Sequence, residues 1–314
     1  MRKFVLRAAI ALALVSAPAV AADLGRMPAK APLMVAAVNP WDIAFGAAIA
    51  TDYNFRGISQ SDRGFSPYAY FEPRYNATKT LQFYAGVAGY GVDLATNPSA
   101  EIDLYFGVRP TFGPLALDFG FLYYYYPKEE GHSTDPAALF PPYPNGNVAY
   151  NNTDFWEVYA KATYTISDTF SVGGNVYYSP DWLKTGADGT YASGTFKWVT
   201  PWKWGDVGAF ISGELGYYWL GTTDVDPFVW TVATPLPDYA TWNIGLAFTY
   251  KVFTLDLRYH DTNLSKGECN ILTGDPRAAS VGDTTPFNNG NVSKWCNPAF
   301  IAKLSFDMTL DSLK

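Results

Sequence analysis

Residues 41–54, WDIAFGAAIATDYN, alternate position by position between two kinds of side chain. Trp41, Ile43, Phe45, Ala47, Ile49 and Tyr53 fall on one face, and Asp42, Ala44, Gly46, Ala48, Ala50, Asp52 and Asn54 on the other. A period of two marks a β-strand whose two sides meet different surroundings. The C-terminal segment repeats the pattern, with Phe300, Ala302, Leu304, Phe306, Met308 and Leu310 opposing Lys303, Ser305, Asp307 and Thr309.

Between these two, comparable segments fall near 65–76, 79–92, 101–112, 115–126, 154–166, 169–180, 190–200, 207–220, 240–251 and 253–262. Twelve strands are therefore expected, each long enough to cross a bilayer when tilted. The connections alternate in length. Short ones are Ala77-Thr78, Gly113-Pro114, Ser167-Asp168, the Trp202–Gly205 turn and Lys251-Val252. Long ones lie near 55–64, 93–100, 127–153, 181–189, 221–239 and 263–299. Long loops interleaved with short turns are the pattern of an outer-membrane barrel with both termini in the periplasm. The expected fold is thus an all-β, antiparallel transmembrane β-barrel of 12 strands spanning 41–314.

Composition agrees. Charged residues make up only 16% of the 314, aromatics reach 17%, and the net charge is -7. The aromatic load excludes disorder, and the acidic balance with no Lys/Arg cluster disfavours nucleic-acid binding. Mean hydropathy is -0.06, far below that of a helical membrane protein. Alternating lipid-facing and water-facing positions cancel in such an average.

The N-terminus reads as an export signal over 1–21: Arg2, Lys3 and Arg7, then an apolar core from Ala8 to Val15, then Ala19-Val20-Ala21 before the cleavage site. Residues 22–40, rich in Ala and Pro, read as a flexible arm. Export to the bacterial outer membrane is the expectation, with membrane lipid as a partner. Tyr123, Tyr125, Tyr178, Tyr217 and Trp219 then mark one interfacial girdle, and Trp41, Trp202 and Trp204 the other. Cys269 and Cys296, in one polar segment, suit a disulfide in an oxidising compartment.

A twelve-strand barrel has a backbone diameter of about 24 Å and room for an aqueous passage of about 10 Å. Its lining is expected to carry Asp52, Glu72, Arg74, Asp103, Arg109, Asp118, Glu157, Lys161, Glu214, Arg258 and Lys303, together with Asp42, Arg56, Lys197, Asp256 and Asp307. Cross-strand pairing of these charges is the structural alternative to solute contact. If Gly113-Pro114 is a tight turn, opposite residues sum to about 227 and Arg109 faces Asp118. The 127–153 loop, with Phe140-Pro141-Pro142-Tyr143-Pro144, is the expected constriction, either folded inward or covering the mouth.

Asp52–Gly64, DYNFRGISQSDRG, resembles the opening signature of the TorF family of porins through Phe55, Arg56, Gly57, Ser59, Gln60 and Asp62. Tyr123–Pro127, Asp154–Tyr159 and Tyr177–Asp181 are similar to that family in the same order along the chain. Many outer-membrane barrels end on an aromatic residue, whereas this sequence ends Leu310-Asp311-Ser312-Leu313-Lys314, and its Cys269–Cys296 and 221–239 loops are longer than the family's usual connections. The resemblance implies a pore. At the strand-to-loop junction Arg56 is expected to bond loop carbonyls or Asp62, with Gly57 permitting the bend.

Passive diffusion of small hydrophilic solutes is therefore the expected function, with homo-oligomer formation left open. A structural or adhesive barrel with a plugged lumen is the alternative. An outer-membrane hydrolase is a weaker one, because the chain has only His132 and His260, with no specific serine motif beside the latter. No cofactor is expected. Asp224 and Asp226 could hold calcium, although a solvated turn is the simpler reading.

Overall fold

The structure, a computed structural model, describes residues 40–131, 152–225, 232–278 and 292–313. The expected signal peptide, nearly all of the arm, His132 and Phe140–Pro144 lie outside them. Fourteen strands occur among the described residues: β1 (Trp41–Ala50), β2 (Asn54–Phe55), β3 (Ile58–Ser59), β4 (Ser66–Thr78), β5 (Leu81–Tyr90), β6 (Glu101–Phe112), β7 (Leu115–Tyr125), β8 (Phe155–Ser167), β9 (Phe170–Ser179), β10 (Gly189–Trp204), β11 (Val207–Leu220), β12 (Tyr239–Tyr250), β13 (Phe253–Thr262) and β14 (Ala299–Thr309). Twelve form a closed antiparallel barrel in which β1 pairs with both β4 and β14. The short β2 and β3 form a separate two-stranded sheet.

Closure pairs both edges of each of the twelve barrel strands. The five short turns and both ends of the barrel chain lie at one end, and the six long loops at the other. The register of β6 and β7 has Phe112 opposite Leu115 and Val108 opposite Phe119, the 227 sum expected from sequence. Two boundaries differ from expectation. β1 stops at Ala50 rather than Asn54, so Tyr53 leaves the outward face and is buried inside. β10 runs on through Trp204, because a bulge between Val199 and Lys203 shifts its register and moves the turn to Gly205-Asp206.

The two faces differ as the alternation requires. Outward positions are exposed and apolar over the whole circumference, from Trp41 and Phe71 through Phe106, Trp156 and Leu215 to Phe300. Tyr125, Tyr178 and Trp219 are exposed near the long loops, and Trp41, Trp202 and Trp204 near the short turns.

Inside, tyrosine rings lie flat against glycines of neighbouring strands. Tyr70 faces Gly46, Tyr105 faces Gly86, Tyr84 faces Gly107 and Tyr159 faces Gly120 directly across the ladder. A Cβ built on Gly107 would come within 2.4 Å of the Tyr84 hydroxyl. Glycine thus lets a large inward ring lie along the wall rather than project into the lumen.

Beyond β13, Ser265 opens helix α1 (Lys266–Thr273) with a capping box to Glu268, and Gly274 closes it in the left-handed region. The Cys269–Cys296 disulfide forms, closing this last long loop across 27 residues.

Candidate functional site

After Ala50 the chain turns into the barrel mouth instead of passing over it. Asn54 pairs with Ser59 and Phe55 with Ile58, leaving Arg56-Gly57 as a two-residue turn in which both residues have positive φ, 47° and 88°. Such a turn matches the twist of a hairpin. Gly57 is required there both by its φ and by space, since an added Cβ would lie 2.1 Å from Thr262 Cγ2 and 2.7 Å from Thr241 Oγ1.

The hairpin carries Arg56 to the far wall. Its two terminal nitrogens each donate to one oxygen of Glu157, both at 2.8 Å, and both side chains are buried. Glu157 stands on β8, five strands around the barrel from β1. The guanidinium also lies 4.5 Å from the ring of Phe55, 4.9 Å from Tyr177, 4.5 Å from Tyr191 and 4.7 Å from Tyr218. Tyr177 belongs to β9, diametrically opposite β1. Tyr124 donates its hydroxyl to the same carboxylate at 3.0 Å. This corrects the expectation for Arg56: it bonds neither a loop carbonyl nor Asp62, but a charge a hundred residues away.

Either side of the turn is tied down separately. Tyr53 donates to Glu101, as does Tyr126 at 2.8 Å, and the Tyr53 ring stacks on Tyr90 at 4.7 Å. Asp52 accepts from Ser59 at 2.6 Å, Ser61 at 3.0 Å and Arg63 at 3.1 Å. Burial pushes the Asp52 carboxyl above its ordinary range, against the pull of Ser59 and Arg63. Gln60 donates its backbone N–H to Tyr53 and its side-chain amide to the Ile58 carbonyl.

The disulfide-closed loop then clasps the outer arm of the hairpin. Arg63 donates to the carbonyls of Lys294 and Trp295, and Ser59 N–H donates to the Trp295 carbonyl at 2.9 Å. The Trp295 indole donates to Asp62 at 2.8 Å, and Arg277 pairs with the same carboxylate.

Deeper in the lumen the charges pair along the wall. Arg109 binds Glu72 at 2.9 and 3.2 Å and Asp118 at 3.3 Å, with the Tyr84 ring 3.6 Å from its guanidinium. Arg74 donates to Glu72 at 2.6 Å. Arg258 binds Asp256, Asn243 and Ser212, and Lys303 faces Asp256 across the ladder. Lys161 lies opposite Asp118 and 4.5 Å from the Tyr159 ring. Glu214 accepts from Tyr191 at 2.9 Å. Asp103 is buried beside this group, opposite Tyr124, and its Oδ1 has no hydrogen-bond partner among the described residues.

Sequence reasoning placed these side chains on the inner face but missed the insertion. The loop assigned to the constriction, 127–153, falls largely outside the described residues, whereas 51–65 enters the lumen. The inward tyrosines at the long-loop ends of strands, Tyr124, Tyr177, Tyr191 and Tyr218, were a readable signal of an aromatic belt inside the mouth. No group of three or more His, Cys, Asp or Glu side chains arranged to hold a metal occurs among the described residues.

The Pseudomonas putida toluene transporter TodX is 10% identical over 87% of this chain and 89% of its own, with a TM-score of 0.39. LpxR from Salmonella typhimurium is 9% identical over 84% and 99%, with a TM-score of 0.37. A bacterial polysaccharide outer membrane secretin is 10% identical over 86% and 98%, with a TM-score of 0.37. Likeness at this level is confined to the barrel fold. No curated protein matches the chain. The family model Gcw_chp, described as a bacterial protein of unknown function, matches residues 35–287, and the chain belongs to that family.

Proposed function

We propose that this protein is an outer-membrane channel for small hydrophilic solutes, exported by its N-terminal signal, with the short turns and both termini in the periplasm. One observation carries the reading: a closed twelve-strand wall that is apolar and aromatic-rimmed outside and polar and charged inside. Such a wall suits lipid on one side and water on the other. The segment resembling the TorF porin signature forms the inserted hairpin, so the channel is narrowed at rest by its first loop. The proposed role is transport rather than catalysis, and His260 sits buried on the inner wall, away from lipid.

A second reading, a structural barrel permanently plugged, is favoured by the Arg56–Glu157 bond itself. Planar-bilayer recording separates the two. The channel reading expects small, well-defined current steps from folded wild-type protein and larger ones from Arg56→Ala. Absence of steps from both folded proteins overturns it in favour of the plug.

A further inference from the structure

We propose that Glu157 and the tyrosines around it form a recognition site for guanidinium- and amine-bearing solutes, which Arg56 occupies from within the chain. Its use in transport rests on the channel reading, whereas the site is argued from geometry alone.

The wall supplies what a guanidinium needs. Glu157 offers both oxygens in the two-pronged arrangement that a planar guanidinium matches. Tyr177, Tyr191 and Tyr218, on three successive strands, present rings within 5 Å of the bound cation, the arrangement by which aromatic cages take organic cations. All four residues belong to strands of the barrel wall and none to the hairpin.

The hairpin has the character of a ligand on a tether. Two-residue turns of this kind favour Asn, Asp or Gly at the first central position. Arginine there at φ 47° is poorly explained by turn chemistry and well explained by its far-wall contacts. The β2–β3 pair makes no ladder with the barrel, so its tip is held mainly by side chains. A free cation with the same head group competes for the same atoms. Tyr124, which donates to Glu157, stands directly across the ladder from buried Asp103, so a second acidic side chain lies beside the site. An occupied site shows weakened apparent affinity for free solute, in proportion to the time the tether is out.

Agmatine, a guanidinium on a four-carbon amine, is the probe. Isothermal titration of the full-length folded protein in detergent is expected to show at least tenfold tighter binding to Arg56→Ala than to wild type. Adding Glu157→Gln to that variant is expected to remove at least tenfold. N-butylurea, neutral and of similar shape, is expected not to bind. A folded Arg56→Ala protein that binds agmatine no better than wild type, or a double variant that binds equally well, overturns the proposal. Should Arg56→Ala fail to fold by heat-modifiable gel mobility, Arg56→Met carries the same comparison. If neither folds, proteolysis of wild-type 51–65 decides: acceleration by agmatine supports displacement, and no acceleration overturns it. Conductance is not read, so agmatine binding to a non-conducting protein keeps the site and drops the channel.

Discussion

Arg56, at the tip of the hairpin that follows β1, crosses the barrel mouth to meet Glu157 on the wall strand β8 through two parallel hydrogen bonds of 2.8 Å. Both charges are out of water, so each depends on the other. Breaking a buried pair by removing one partner costs about 3–5 kcal/mol, because the survivor is left uncompensated, whereas removing both costs less. The barrel wall has its own ladders and does not need the hairpin to stay closed. Glu157→Gln is therefore expected to release residues 51–65 rather than unfold the barrel. Limited proteolysis should show new cleavage in that segment while heat-modifiable mobility is retained. Pairing Glu157→Gln with Arg56→Met should cost less than the sum of the single changes; additive effects would mean that the two charges are not coupled.

The disulfide acts on the same hairpin from outside. It constrains a loop whose carbonyls at Lys294 and Trp295 hold Arg63 and Ser59. In the chain-entropy picture it limits the unfolded freedom of that loop by about 3–4 kcal/mol. Cys269→Ser with Cys296→Ser is expected to leave the twelve-strand barrel intact and to raise hydrogen exchange at residues 58–63. Unchanged exchange there would show that the clasp holds without the bridge.

The cap of α1 gives a pH dependence of known sign. Hydrogen bonds from the Ser265 side chain and backbone hold the Glu268 carboxyl below its ordinary range. A depressed carboxylate contributes stability that is present above the unfolded-state pKa and is lost as pH falls through the folded-state value. Exchange protection of the 265–274 peptide, corrected for intrinsic rates, should therefore be constant near neutrality and decline below the usual glutamate range. Glu268→Gln should flatten that decline. The same decline in the variant would assign it to another group.

The strand pattern was legible because it is local: alternation over ten residues fixes which side chains face in, and turn length fixes the register that sets Arg109 beside Asp118. The disulfide was legible because both cysteines lie in one segment. The inserted hairpin was not, because its position depends on contacts between residues 56 and 157 that no local period encodes. Loop 51–65 and loop 127–153 differ little in polar character, and the longer was the more obvious constriction. One cue was present, an arginine at the first central position of a two-residue turn flanked by Phe55 and Ile58. Turn chemistry alone gave it no reason to be there.

The glycine–tyrosine pairing inside the wall yields a contrast that local propensity does not predict. A Cβ at Gly107 would meet the Tyr84 hydroxyl and the Phe119 carbonyl, both at 2.4 Å, whereas one at Gly194 would meet nothing within 4 Å. Both glycines sit inside strands, so their intrinsic preferences are alike. Tyr84 also donates to Asp118 at 2.5 Å and contacts the Arg109 guanidinium, so displacing its ring disturbs the deeper ion-pair network. Gly107→Ala is accordingly expected to destabilise the barrel by about 1–3 kcal/mol, the usual range for overpacking. Gly194→Ala should stay within about 0.5 kcal/mol of wild type, as surface changes usually do. Guanidinium unfolding midpoints in detergent compare the two. Equal effects at both sites would mean that the tyrosine does not need the glycine beneath it.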